Sequence, residues 1–231
     1  MIYLGIDTSN SPLAVALMEN ETVLIEETTN LKINHSLTAM PAIEEMMTKA
    51  KISPKDLTHI AVAEGPGSYT GVRIGLTIAK TMAWSLKIPL HMVSSLKVLA
   101  ANGHSFDGLV CPIMDARRGT VFTGAYDGET LASVIPDQHS DLKVFLEKVK
   151  ALNKPVLFTG IDLSIHEAPI REVLGDAASF SKPQDRLPRA SNLIWLAQQT
   201  DAQEVHQATP NYRRITEAEA NYIKSQEGSS L

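Results

Sequence analysis

A buried strand that ends in an aspartate and a polar turn, followed at once by a hairpin, occurs in both halves of this chain. In the first half Ile2–Ser9 reads as the strand, and Ala14–Met18 with Thr22–Thr28 as the hairpin around Glu19-Asn20-Glu21. In the second, Leu109–Asp115 leads into Ala116-Arg117-Arg118-Gly119, and Val121–Tyr126 with Thr130–Val134 flank Asp127-Gly128-Glu129, where Asp-Gly is a strong hairpin signal. Recurrence of this order predicts a duplicated α/β architecture, two mixed sheets each flanked by helices. The Gly, His, Ser and Asp of Asn102–Gly108 read as a linker. Residues 1–104 are therefore expected to form an N-terminal domain and 105–231 a C-terminal one, with the last helix packing back on the first.

The elements between follow from spacing. Helices are expected over Ser36–Lys51 and Val72–Leu86, strands over His59–Glu64 and Pro89–Val93, and a short helix from Ser95. Leu142, Phe145, Leu146 and Val149 have helical spacing, Val156–Thr159 reads as a strand, and Ile170, Val173 and Leu174 mark another helix. Lys182–Arg189 reads as a loop, Ser191 as the cap of a helix carrying Leu193, Ile194 and Ala197, and Glu217–Lys224 as a polar final helix.

At 231 residues and 44% hydrophobic content the chain can bury a sizeable core. Its formal charge of -5 argues against gripping nucleic acid unaided, because phosphate neutralisation needs clustered Lys and Arg. Cys111, the single cysteine, lies among Leu109, Val110 and Ile113 and reads as a buried strand residue, not a nucleophile. The start MIYLGIDTSNSP lacks a signal-peptide pattern, and no apolar run reaches the ~18 residues of a membrane span. A cytoplasmic soluble protein is the expectation.

The run GPGSYTGVRIG at Gly65–Gly75 joins a strand to a helix. Gly65, Gly67 and Gly71 allow close backbone approach, and an anion or an abutting polypeptide would fit equally well. The string matches neither G-x-x-x-x-G-K-[ST] nor G-x-G-x-x-G, which disfavours a P-loop NTPase or a dinucleotide enzyme. Ser68 has no G-x-S-x-G elbow around it and no visible base. Asp7 and Asp115 occupy equivalent strand ends, and serve equally as a metal- or water-holding pair or as two turn-capping aspartates. Arg73 and Arg117 are candidate phosphate or carboxylate ligands, whereas Arg118 reads as solvated or ion-paired. No two of the seven histidines are four apart, so a helical metal face is not expected, and His35 reads as a cap-region or contact residue. The two N-terminal helices are apolar around most of their circumference. Leu37, Met40, Ile43, Met46 and Met47 on one, with Ile74, Ile78 and Met82 on the other, exceed one core-facing stripe and point to a partner-docking face.

Together, GIDTSNSPLAVAL at Gly5–Leu17, HSLTAMP at His35–Pro41, AEGPGSYTGVRIG at Ala63–Gly75 and MDARRGTVF at Met114–Phe122 closely resemble the TsaB family of bacterial tRNA threonylcarbamoyladenosine biosynthesis proteins. That family lies in the Gcp-like branch of the actin-like ATPase (ASKHA, RNase H-like) superfamily. The resemblance covers most of residues 1–126 and later thins to PNYRR at Pro210–Arg214, where the family more often has leucine after the tyrosine, so Arg213 departs from the pattern. It implies a two-domain fold and a non-catalytic subunit that pairs with TsaD and, with the ATPase TsaE, supports transfer of threonylcarbamoyl to adenosine 37 of ANN-decoding tRNAs. It also implies that tRNA is met only within the complex, that ATP or ADP belongs to the complex and is not a cofactor of this chain, and that homodimerisation of the isolated chain is open. The catalytic relative carries a histidine pair four residues apart, where this chain has His35 and Thr38-Ala39. Two rivals stand beside this reading. One is a small-molecule kinase using Asp7 and Asp115 around ATP and magnesium, weakened by Thr8-Ser9-Asn10-Ser11 and Ala116-Arg117-Arg118 in place of glycine-rich phosphate loops. The other is a Gcp-like peptidase, which neither a metal cluster nor a nucleophile elbow supports.

Overall fold

A computed structural model describes residues 1–31 and 34–213. Strands β1 (Ile2–Asp7), β2 (Leu13–Glu19), β3 (Thr22–Thr29), β4 (His59–Ala63) and β5 (Leu90–Val93) form one sheet in the order β3-β2-β1-β4-β5. Strands β6 (Leu109–Asp115), β7 (Thr120–Asp127), β8 (Ser133–Asp141), β9 (Val156–Thr159) and β10 (Ala178–Phe180) form a second in the order β10-β9-β6-β7-β8. Read from the other edge, the second order repeats the first. In each sheet the first strand pairs antiparallel with the second and parallel with the fourth, through Ile6↔Val15 and Ile6↔Val62 in one, and Ile113↔Thr123 and Cys111↔Phe158 in the other.

The first sheet sorts its side chains by size. Leu4, Ile6, Val15, Leu17, Ile60 and Val62 face α1 (His35–Ala50) and α2 (Tyr69–Leu86), and burial of each such side chain contributes about 1.5–3 kcal/mol. The alternate positions are mostly small, with Ala14, Ala16, Ala61 and Ala63 on the face covered by α3 (Ser95–Ala100) and α6 (Ala190–Ala197). Gly5 lets α6 lie close to β1, because a Cβ there would stand 2.8 Å from the Ala190 carbonyl oxygen. Val110, Met114, Phe122 and Tyr126 of the second sheet join the same cluster, so this core spans the two halves. The outer face of the second sheet packs on α4 (Leu142–Lys150) and α5 (Leu163–Leu174) around Phe145 and Phe158.

Residues 190–213 return to the first sheet although they follow the second in the chain. After α6, a strap pairs Gln203 with Leu90 on the β5 edge, buries Ala208 and ends beside β4, where Asn211 N–H donates to the Glu64 carbonyl at 2.8 Å. The expected helix Glu217–Lys224 lies outside the described residues.

Several expectations are corrected. The strand expected at Thr130–Val134 is Ser133–Asp141, because Asp127 Oδ1 accepts from the amides of Glu129 and Thr130 and from the Thr130 hydroxyl, which widens the turn. Ala178–Phe180 is a short edge strand that periodicity did not reveal. Ser191 is not the cap of α6, whose cap position is Arg189; its amide and hydroxyl both donate to Glu26 Oε1, at 2.9 and 2.6 Å. The carboxylate of β3 thus occupies the helix start in its place.

Candidate functional site

The carboxyl ends of β1 and β4 meet at the glycine-rich turn. Ser68 caps α2 by accepting from Gly71 N–H at 3.2 Å, and its own amide donates to the Ser9 carbonyl at 2.7 Å. A Cβ on Gly67 would stand 2.1 Å from the Ser9 carbonyl oxygen and one on Gly71 2.2 Å from that of Thr8. A Cβ on Gly75 would stand 2.4 Å from Thr8 Oγ1, whose hydroxyl donates to the Gly71 carbonyl at 2.7 Å. Of the two ligands that fit the sequence, an anion or an abutting polypeptide, the turn holds the second: the chain's own Thr8-Ser9 backbone. Gly65, at φ +102°, donates to Ser95 Oγ and accepts from Ser95 N–H, both at 3.0 Å, which ties the turn to α3.

Asp7 lies directly behind this joint and is 1% exposed. Its Oδ1 accepts from the Ser9 amide at 2.8 Å and the Ser9 hydroxyl at 2.7 Å, as a turn-capping aspartate does, while its buried Oδ2 has no partner. Burial pushes its carboxyl above the usual range, against the Ser9 hydrogen bonds and the nearby His35. His35 opens α1 after the Asn34 cap and sets Nε2 2.8 Å from the Asn10 carbonyl, a contact role as expected.

Asp115 holds the equivalent place in the second half but in different company. It accepts from Arg117 N–H at 3.2 Å, stands 3.1 Å from the buried His166 Nε2, and donates its own amide to Asp162 Oδ2 at 2.9 Å. Burial raises the Asp162 carboxyl. Arg117 and Arg118 have φ of 67° and 54° and lead into Gly119 at 77°, so the exposed turn is left-handed through all three. Asp7 and Asp115 share no hydrogen bond. Among the described residues, no three His, Cys, Asp or Glu side chains converge as a metal site. Arg73 is exposed and lies 5.1 Å from the Tyr69 ring centroid. Cys111 is fully buried and burial drives its thiol strongly upward, in line with an inert strand residue.

A clasp joins the halves. Asp137 of β8 accepts from Tyr126 of β7 and from Ser94, the cap of α3. Glu64, half-buried and raised by burial, accepts from Asn211 Nδ2 at 3.3 Å. Sequence reading passed over Asp137 and Asp162, and gave no role to His166 among the histidines or to Asn211 and Tyr212 within PNYRR. The duplication held a signal for Asp162, which follows β9 and Gly160 where the glycine turn follows β4.

The residues expected to form a docking face are redistributed between core and surface. Ile43, Met46 and Met47, at 1%, 1% and 5% exposure, are core residues against the first sheet, which corrects their assignment to a surface. Ile78 and Met82 are half-buried against the same core and Ile74 is half-buried, while Leu37, Met40 and Trp84 are exposed at 71%, 46% and 63%. The apolar surface therefore follows the outer flanks of the two helices, with Trp84 as a member that sequence reading left out.

The family described as "TsaD: tRNA N6-adenosine threonylcarbamoyltransferase" matches residues 22–228 of this chain. A Bacillus subtilis protein named tRNA threonylcarbamoyladenosine biosynthesis protein TsaB is 50% identical over 98% of this chain and 100% of its own length. A protein of the same name from Buchnera aphidicola subsp. Schizaphis graminum is 32% identical over 69% of this chain and 78% of its own length. In fold, a Pseudomonas aeruginosa crystal structure described by its similarity to the peptidase YeaZ has a TM-score of 0.76 at 24% identity, covering 92% of this chain and 99% of that one. A Thermus thermophilus ROK hexokinase has a TM-score of 0.50 at 10% identity, covering 87% and 98%. The two like-ordered sheets are the duplicated actin-like ATPase fold.

Proposed function

Because this chain belongs to the TsaB proteins of tRNA threonylcarbamoyladenosine biosynthesis, within the wider TsaD family, we propose that it serves as a non-catalytic subunit of the modifying complex. In that role it pairs with TsaD, supports TsaE, and promotes transfer of threonylcarbamoyl to adenosine 37 of ANN-decoding tRNAs in the cytoplasm. One observation carries the non-catalytic part. The glycine turn, which by sequence could have held an anion, is filled by Thr8-Ser9 backbone, and the Ser68 amide is engaged by Ser9. A joint of this kind supports positioning of α1 and α2 more than phosphoryl chemistry. Leu37, Met40, Ile74, Ile78, Met82 and Trp84 then supply the apolar contact for TsaD.

The test is reconstitution of tRNA modification from purified TsaD, TsaE and this chain, omitting each in turn. Omission of this chain should abolish modification, and the chain alone should neither modify tRNA nor hydrolyse ATP. The kinase reading has one observation behind it, the unpartnered Asp7 Oδ2. Steady ATP turnover by the isolated chain, lost in Asp7→Ala, would promote that reading over the subunit.

A further inference from the structure

The strap brings a second aromatic ring to the first turn of α2. Tyr212 stacks on Tyr69 with ring centroids 5.0 Å apart and planes 20° apart, and Arg73, one turn along, donates to the Tyr69 hydroxyl. Both rings stay open to solvent, at 49% for Tyr69 and 47% for Tyr212, and Arg73 is exposed. Among the described residues no carboxylate pairs with Arg73 and the first turn of α2 carries no acidic residue, while Arg213, next in the chain after Tyr212, acts on Glu64 and Tyr126 instead. In a chain of formal charge -5 this is a cationic aromatic step.

The stack is not what fastens the strap. Lys80 Nζ donates to the Ala208 carbonyl at 2.7 Å, Gln203 N–H to the Leu90 carbonyl at 2.7 Å and Asn211 N–H to the Glu64 carbonyl at 2.8 Å, all upstream of Tyr212. What remains at the last described residues is a pair of half-open π faces beside a guanidinium that donates to the Tyr69 hydroxyl and that no carboxylate pairs among the described residues. A half-open ring takes an unpaired base by stacking, largely whatever its identity, and a guanidinium takes phosphate through paired N–H donors. An apolar partner helix is better matched by Leu37, Met40 and Trp84, which carry no such charge.

We infer that Tyr212, Tyr69 and Arg73 form a contact for an unpaired nucleotide of the RNA substrate, made only once the complex is assembled. The inference rests on the subunit reading above. One base and one phosphate against an acidic chain give little affinity alone, so the contact adds to binding by the other subunits.

The experiment uses the complex of this chain with TsaD and TsaE, and tRNA in filter-binding titrations over a range of salt. Tyr212→Ala should raise the Kd for tRNA about tenfold, and Tyr212→Trp should restore it. Arg73→Gln should lower the slope of log affinity against log salt by about 0.7, the loss of one single-strand phosphate contact. Co-elution of the subunits and the thermal transition of the chain should stay as in wild type. Unchanged tRNA affinity in Tyr212→Ala and Arg73→Gln overturns the inference. So does a loss that appears as weaker subunit affinity, which would mark a protein contact, or as a lowered thermal transition, which would mark a strap anchor. The subunit reading is tested separately, since it stands if omitting the wild-type chain abolishes modification while these variants bind tRNA normally.

Discussion

Gly67→Ala is the perturbation that most directly tests the glycine turn as a joint within the chain. A Cβ at this position would stand 2.1 Å from the Ser9 carbonyl oxygen, and the atom it meets is backbone, which cannot rotate aside. Relief requires the turn and the end of β1 to separate, which breaks the 2.7 Å hydrogen bond from Ser68 N–H to that oxygen. Overpacking costs about 1–3 kcal/mol and the lost bond about 1 kcal/mol, so a destabilisation of about 3 kcal/mol is expected. For a chain of this size that corresponds to a fall of about 6–12 °C in Tm. Gly119→Ala is the control, because φ is +77° there and nothing lies within 4 Å of the added atom, leaving only left-handed strain of about 1–2 kcal/mol. Thermal unfolding followed by circular dichroism, with no partner or nucleotide present, reads both. Were Gly67→Ala to melt with wild-type Tm, the turn would not be closed on Thr8-Ser9, and the case against a phosphate cradle would fall with it.

Three further perturbations separate core from surface and fix the signs of the buried charges. Met47→Glu places a carboxylate in the core at a 5% exposed position and should lower Tm by more than about 10 °C, whereas Met40→Glu, at 46% exposure, should stay within about 0.5 kcal/mol of wild-type stability while weakening TsaD binding; wild-type Tm in Met47→Glu would return that residue to the surface. Burial holds His59 and His91 below the usual imidazole range, with repulsion between them adding to the shift at His59. The unfolded chain therefore binds more protons than the folded one near pH 6, so their contribution is fully present above about 6.5 and is lost as pH falls toward the folded values. Tm should drop between pH 7 and pH 5, less steeply in His91→Asn, and a rise over that interval attributable to His91 would reverse the sign. Asp7 is shifted the other way, upward by burial, so its ionised form destabilises the folded chain at neutral pH. Asp7→Asn keeps an acceptor for Ser9 and removes the charge, and should raise stability at pH 7.5 by about 1 kcal/mol, or about 2–4 °C, with the gain shrinking toward pH 4; a lower Tm at pH 7.5 would mean that the charge is compensated.

What the sequence disclosed and what it withheld divide along a physical line. Strand alternation is local, so β1, β4, β6 and β9 are legible to within a residue or two, and the repetition of Asp7 and Asp115 at strand ends reveals the duplication. The meaning of a glycine is not local. GPGSYTG records that something approaches closely but not what approaches, and only the fold brings Thr8-Ser9 onto it. The same limit governs the methionines, because an apolar position on an almost wholly apolar helix does not say which neighbour covers it. Met46 and Met47 meet the sheet while Met40, on the same helix, meets solvent. Long-range returns were the least visible. Glu26 reaches Ser191 across 165 positions and Asn211 reaches Glu64 across 147, and no period or motif links such residues. It follows that Asn211 and Tyr212, within a short polar string of little weight by itself, acquire their meaning from their place. The strap lays Asn211 on Glu64 and Tyr212 on Tyr69, so the last described residues complete the surface around the glycine turn at the end of β4.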